Sequence, residues 1–222
     1  MDETVNLAVS NLRGFESLSA HMIPKKKLEQ LYNRGLSMME VSNKLGCNYN
    51  QVVYWMKKYG IPTRSWSEAT YRKRNPKGDP FKIKKPKTIE DIKLFYLGIA
   101  LYLGEGDKKT KHSTKLANTD PEILNIFLKF LVSLCGVEKE KIGLEINMFD
   151  DINKEIAMAY WVKALGLDRS HVKTVIIRKS KGGTYKKKSQ YGTLTIYVSN
   201  VKLKQIINNW CEEIKNEFAG VV

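Results

Sequence analysis

The chain has 222 residues, 42% of them hydrophobic, with a formal net charge of +15 and a sequence pI near 9.6. That hydrophobic fraction excludes an intrinsically disordered chain, and the length accommodates one ordinary domain plus a small one. Such a charge calls for a polyanionic partner. Because 31 of the 38 basic residues are Lys, it predicts affinity for phosphate more than for base edges. Cys47, Cys135 and Cys211, with His21, His112 and His171, are scattered without metal-ligand spacing. This argues against a zinc site or a Cys–His nucleophile and fits reduced thiols. The start of the chain carries Asp2 and Glu3 and no long apolar run. No signal peptide or membrane span is therefore expected, and a cytoplasmic location is.

Residues 1–24 carry little pattern before Pro24. From 25 to 63 the punctuation predicts three short helices. The first runs from about Lys26 to Asn33 and is closed by Gly35. Ser37 and Glu40 form a capping box for a second that carries Met39, Val41 and Leu45. Gly46 makes the turn, and Asn48 caps a third whose buried side is Val52, Val53, Trp55 and Met56. Gly60 and Pro62 stop it. Two short helices joined by a Gly-bearing turn form a helix-turn-helix pattern. It resembles the resolvase and homeodomain-like modules. The candidate DNA contacts are Asn48, Asn50, Gln51, Tyr54 and Lys58, with Trp55 read as core.

A basic linker follows at 64–87. Lys57 to Lys87 holds eleven Lys or Arg against Glu68 and Asp79, with Pro62, Pro76, Pro80 and Pro86. That composition predicts an extended arm with little fixed structure, and such arms follow phosphates or the minor groove. Arg64, Arg72, Lys73 and Arg74 are its candidate contacts.

At 88–222 a larger domain begins on Thr88, whose side chain with Asp91 predicts a capping box. The run to Leu103 has no Pro and no charge after Lys93, so a helix buried on most sides is expected. Ala100 and Gly104 lie four apart, where missing bulk admits a second helix closely. Gly104 and Gly106 release the backbone and carry Glu105 out at the helix C-terminus. A carboxylate is poorly placed there, because that end carries partial negative charge, which suggests that a cation sits beside it. Gly98 to Gly106, G-I-A-L-Y-L-G-E-G, resembles the nine-residue LAGLIDADG motif of homing endonucleases, with Leu103 at the motif's other acidic position.

Beyond the motif, a strand is predicted at His112–Asn118. A helix from Pro121 to Cys135 follows, then a strand at Lys141–Phe149 and a helix at Asp150–Leu165. Strands at Val172–Arg178 and Thr193–Val198 precede a closing helix at Lys202–Phe218. The resemblance implies an α+β fold, an αββαββα LAGLIDADG-type domain over roughly Thr88 to Phe218, preceded by the small all-α helix-turn-helix domain. Two departures are visible in the sequence: a short first hairpin, and an insertion from about Asp150 to Gln190. Lys179, Lys181, Lys186, Lys187 and Lys188 cluster around Gly182-Gly183 and suggest a phosphate-gripping tip.

The same resemblance implies Glu105 as the catalytic and metal-binding carboxylate. It also implies Mg²⁺ or another divalent cation as cofactor, and hydrolysis of phosphodiesters in double-stranded DNA. With one motif per chain, a homodimer would supply the pair of carboxylates, its interface including Ala100 and Gly104. Two other readings stay open. One is a regulator that keeps the domain as a scaffold without cleavage; the other is an RNA maturase, with RNA as partner.

Overall fold

The computed structural model describes residues 22–180 and 189–220, and the chain separates into two compact units that divide between Gly78 and Asp79. It is an α+β protein with a four-stranded mixed sheet. Among the described residues no helix is long and apolar enough to cross a membrane.

The smaller unit is all-helical. Helix α1 (Lys25–Asn33), α2 (Met38–Leu45) and α3 (Tyr49–Lys58) bury Ile23, Leu28, Leu31, Tyr32, Val41, Val52, Trp55 and Met56 in one core. The expected capping box at Ser37 and Glu40 is present, with Ser37 N–H donating to the Glu40 carboxylate over 2.7 Å. Gly46 takes the left-handed conformation (φ 64°) that closes α2. Val53, expected inside, is 38% exposed, and the apolar Met39 is 54% exposed. Three short helices around Trp55 have too narrow an apolar stripe to cover either.

The predicted extended linker is replaced by two ordered segments. Helix α4 (Trp66–Arg74) forms because Ser65 caps it, accepting from Glu68 N–H over 3.3 Å, and no proline interrupts it. Pro62 and Pro76 flank the helix instead of breaking it. Beyond Asp79 the chain belongs to the larger unit. Lys82 and Lys84 N–H groups donate to Gly136 and Leu134 carbonyls (3.1 and 2.8 Å), while Phe81 and Ile83 pack on that unit's core.

The larger unit runs α5 (Ile89–Glu105), β1 (Thr114–Asn118), α6 (Pro121–Lys129), β2 (Ile142–Phe149), α7 (Lys154–Leu165), β3 (Val172–Arg178), β4 (Thr193–Val198) and α8 (Val201–Ala219). Helix α6 continues through a π turn at Phe130–Leu134. The strand order is β1-β4-β2-β3, with β1–β4 and β4–β2 antiparallel and β2–β3 parallel. The element order departs from αββαββα in two places. The first hairpin is reduced to a single bridge, Gly106 to Leu116, because Lys108 to Ser113 holds no alternating apolar run to pair further. The expected insertion is part of the core: α7 buries Ala157, Met158, Trp161 and Leu165, and as a crossover it leaves β3 parallel to β2.

Register places Leu116, Ile196 and Leu144 in one row and Thr114, Val198 and Ile142 in the next, all buried beneath the helices. The opposite face carries Lys115, Tyr197, Thr195, Glu145, Thr193 and Asn147, each half-exposed. Strand alternation thus gives one apolar and one polar face.

Helix α5 is seated by a close approach at Gly98, where an added Cβ would overlap the Phe130 ring. Phe95, Phe130 and Trp210 complete this contact, with Phe95 and Trp210 rings 5.2 Å apart edge to face. Gly98→Ala should therefore cost about 1–3 kcal/mol by overpacking, against a helix-propensity gain of at most about 1 kcal/mol. Urea denaturation of the full chain measures the difference, and unchanged stability would show that the approach is not tight.

Candidate nucleic-acid interface and motif-helix site

In the smaller unit the caps of α3 use two of the expected contact residues. Asn48 Oδ1 accepts from Asn50 N–H over 3.0 Å, and Gln51 Oε1 accepts from Asn48 N–H over 3.0 Å. Asn48 and Gln51 therefore fix the start of α3 before they can serve a ligand. The exposed face is Tyr49, Asn50, Val53 and Lys57, at the spacing of one helical stripe. Of these only Asn50 was expected. Val53 supplies methyl groups of the kind that meet a thymine methyl. Tyr54 is half-buried, and Lys58 lays its ammonium over the Trp55 and Tyr54 rings at 4.7 and 5.7 Å.

Arg64 is not a free contact. Its guanidinium stacks 3.8 Å from the Tyr32 ring and donates to the Leu36 carbonyl (3.1 Å) and the Tyr32 carbonyl. Its own N–H donates to Tyr32 Oη over 2.9 Å, and burial pulls its pKa down. Arg72 donates to the Asn33 carbonyl over 3.0 Å and lies 3.8 Å from Glu68. These two arginines staple α4 to the helical core. Lys73 and Arg74 are exposed and project from α4. Lys181, Lys186, Lys187 and Lys188 lie outside the described residues.

In the larger unit, α5 begins on the expected Thr88–Asp91 box. Asp91 also accepts from Lys87 N–H over 3.0 Å, and these backbone bonds hold its carboxyl below the ordinary range. The helix is not buried on most sides. Gly98, Ile99 and Tyr102 face the core, while Ile89 (67%), Ile92 (47%), Tyr96 (43%) and Leu97 (44%) face solvent. Ala100 and Gly104 are exposed on that same stripe, and nothing lies within 4 Å of where a Gly104 Cβ would stand. No helix of the larger unit covers this apolar face, so an intramolecular partner for it is ruled out among that unit's described elements.

Glu105 is the last helical residue and is exposed. Gly106 leaves in extended conformation (φ −73°, ψ 144°), where a Cβ would collide with the Tyr102 carbonyl and ring. A side-chain cation stands at this helix end. Lys108 Nζ donates to the Tyr102 and Leu103 carbonyls over 2.6 and 2.7 Å, placing positive charge on the negative end of the helix dipole. A second ammonium lies deeper: Lys204 of α8 is 2% exposed and donates to Tyr102 Oη and the Asp107 carbonyl. Tyr102 Oη in turn donates to the Asp107 carbonyl over 2.9 Å. Burial lowers the Lys204 pKa and raises that of Tyr102.

Asp107 is committed to its own turn. Its Oδ1 accepts from Lys109 N–H over 2.8 Å and Thr110 N–H over 3.3 Å, and its Oδ2 accepts from the Thr110 hydroxyl. The Thr110 bond is the chief reason its pKa is lowered. Among the described residues no three His, Cys, Asp or Glu side chains gather as a metal-binding group. Glu105 thus stands apart from any such group among the described residues. Neither Lys108 nor Lys204 was singled out from sequence. Lys108 sits three residues past the helix end, where a back-reaching cation is a known capping device; Lys204 carried no comparable signal.

Both ends of α5 thus rest on carboxylates whose folded-state pKa is depressed, Asp91 and Asp107. Their contribution is fully present above the ordinary value of 3.8 and is lost as pH falls through the lower folded-state value. Asp91→Asn with Asp107→Asn should make the stability of the larger unit less steeply dependent on pH below about 4. Acid titration followed by circular dichroism checks this, and an unchanged slope would refute it.

No family model matches this chain, and no curated protein or solved structure matches it.

Proposed function

We propose that this protein binds double-stranded DNA as a homodimer paired through α5 and hydrolyses phosphodiesters in the manner of a single-motif LAGLIDADG endonuclease. The observation that carries the reading is the open apolar stripe of α5, Ile89 to Gly104, ending on the exposed carboxylate of Glu105. Two such helices related by a two-fold axis that runs along them, in contact at Ala100 and Gly104, would set their C-terminal ends, and hence two Glu105 side chains, near one another. Ala100 and Gly104 keep the contact free of bulk, so the backbones can approach closely.

The residues of one chain do not by themselves fit a divalent cation, whereas a symmetric pair supplies two carboxylates. Mg²⁺ held there supplies Lewis acidity and a lowered pKa for bound water. The chain's own part is to project Glu105 from a fixed helix end, with Tyr102, Lys108 and Lys204 holding the turn beneath it. Support for DNA as the partner comes from the charge of +15, the exposed stripe of α3, and the polar open face of the sheet with Lys115, Thr195 and Asn147. A specific observation favours a second reading, a non-cleaving DNA-binding regulator on the same scaffold. Lys108 already satisfies the end of α5, and Leu103 stands at the motif's other acidic position.

Dimerisation can be tested apart from chemistry. Since Ala100 is exposed in the protomer, Ala100→Leu should leave protomer stability unchanged. At a close helix contact it should cost about 1–3 kcal/mol, weakening association roughly fivefold or more. Sedimentation equilibrium measures both proteins; a monomer at micromolar concentration that ignores the substitution would refute the paired-helix arrangement.

The activity is tested with duplex DNA containing the sequence that flanks the gene. Binding should weaken steeply between 50 and 200 mM salt, as counterion release requires (roughly 50 to 200 mM is the range over which such losses are large). Cleavage should need Mg²⁺. Glu105→Gln should retain binding and abolish cleavage. Salt-sensitive binding without cleavage by the wild-type chain would select the regulator reading, and no binding at all would sink both.

A further inference from the structure

Trp66 belongs to none of the surfaces assigned above. It opens α4 with 90% of its surface in solvent, whereas Trp55 and Trp161 are buried and Trp210 is half-buried. Helix α4 contributes no buried residue at all. Its links to the helical core include the Arg64 guanidinium on Tyr32 and the Arg72 bond to the Asn33 carbonyl, and Ser65 caps its start. The indole therefore does nothing for folding where it stands.

Its surroundings specify a partner by charge. From Arg64 to Lys77 there are five basic residues and one carboxylate, Glu68, which is drawn to Arg72. Ala69 and Lys73 follow Trp66 at helical spacing, and both are exposed; Arg74 and Lys77 are exposed beside them. Ala69 leaves clear space between the indole and the Lys73 ammonium. Seven residues of helix rise about 10 Å, the reach of about one to three nucleotides, since each rises roughly 3.4 Å when stacked in a duplex and more when unstacked. A large π face with ammonium groups a few nucleotides away is how proteins hold a strand whose bases are unstacked. A membrane surface would call for further apolar bulk on the exposed side of α4, and Trp66 is its only exposed large apolar residue.

We infer that Trp66 stacks on an unstacked base of a DNA strand whose phosphates are held by Lys73, Arg74 and Lys77. The inference rests on DNA as the partner and is independent of cleavage and of dimerisation. It requires a single-stranded or locally opened stretch, because bases inside an intact duplex offer no free face.

The full chain, titrated with a short single-stranded oligonucleotide and separately with its fully paired duplex, tests this by tryptophan fluorescence and anisotropy. The single strand should quench fluorescence. Trp66→Ala should abolish that quench and weaken single-strand binding about tenfold or more, with duplex binding changed less than about twofold. Trp66→Phe should restore the affinity without the signal, because a phenyl ring also stacks. Unchanged single-strand affinity in Trp66→Ala overturns the inference. So does a Trp66-dependent change produced by anionic phospholipid vesicles and not by the oligonucleotide. Salt-sensitive duplex binding with no single-strand binding refutes this inference alone, whereas no binding to either refutes DNA as the partner.

Discussion

The approach of α5 to the Phe130 turn, which Gly98 permits by having no side chain, decides how the larger unit is divided into a covered and an open side. With Gly98, Ile99 and Tyr102 turned inward, helical geometry puts Ile92, Tyr96, Ala100 and Gly104 outward. No other described element of the unit covers them. The sheet obeys the same division by a different periodicity: Leu116, Leu144 and Ile196 lie under the helices, and Lys115, Glu145 and Thr195 face away. A two-layer unit therefore presents two unlike free surfaces, one apolar and carried on a helix, one polar and carried on strands. An apolar surface of that kind favours a protein partner, and a polar sheet face beside excess Lys favours an anionic one.

Charge at the end of α5 follows from the need to stop the helix there. The backbone turns at Gly106, whose N–H still donates to the Tyr102 carbonyl over 3.0 Å, whereas Asp107 N–H donates to the Lys115 carbonyl and leaves the Leu103 carbonyl without a helical partner. Lys108 donates to both carbonyls from the surface, while Lys204 and Tyr102 fasten the Asp107 carbonyl from below. A buried ammonium is costly unless it is hydrogen-bonded, so Lys204 ties the position of the turn to α8. Glu105 is fixed at its root by this network and free at its carboxylate.

The parts of the fold that could be read in the sequence were those with local chemical signals. Thr88–Asp91, Ser37–Glu40, Asn48, Pro121 and the glycines at 35, 46 and 60 marked helix ends that the structure reproduces within a few residues. The strands from Thr114 to Val198 followed from alternation. Helix α4 was obscured by prolines on both sides of it, because proline density averages over a window whereas a helix needs only the nine residues between Ser65 and Asn75 to be free of it. The inward or outward fate of Val53 and of the α5 stripe was not legible. Both depend on how much apolar surface the neighbouring elements can cover, and only tertiary packing sets that. Lys204 was hidden for a related reason: a lysine on an amphipathic helix reads as surface unless a partner inside is known.

The basic residues divide by what they touch, and this refines what a charge of +15 means. Arg64 and Arg72 are spent on carbonyls of the smaller unit, Lys108 and Lys204 on the end of α5, and Lys58 lies over aromatic rings. Five cations from the richest parts of the sequence thus have intramolecular tasks. Arginine, with its planar fork, takes the carbonyl-stapling roles in the smaller unit, as its geometry favours. The exposed cations near α3 and α4 are Lys57, Lys73, Arg74 and Lys77, mostly compact ammonium groups on long stems. Such groups hold phosphate without choosing sequence. Under the proposed DNA-binding reading, discrimination among bases would have to come from Asn50 and Val53 on α3, from the polar sheet face, or from the shape of the nucleic acid itself.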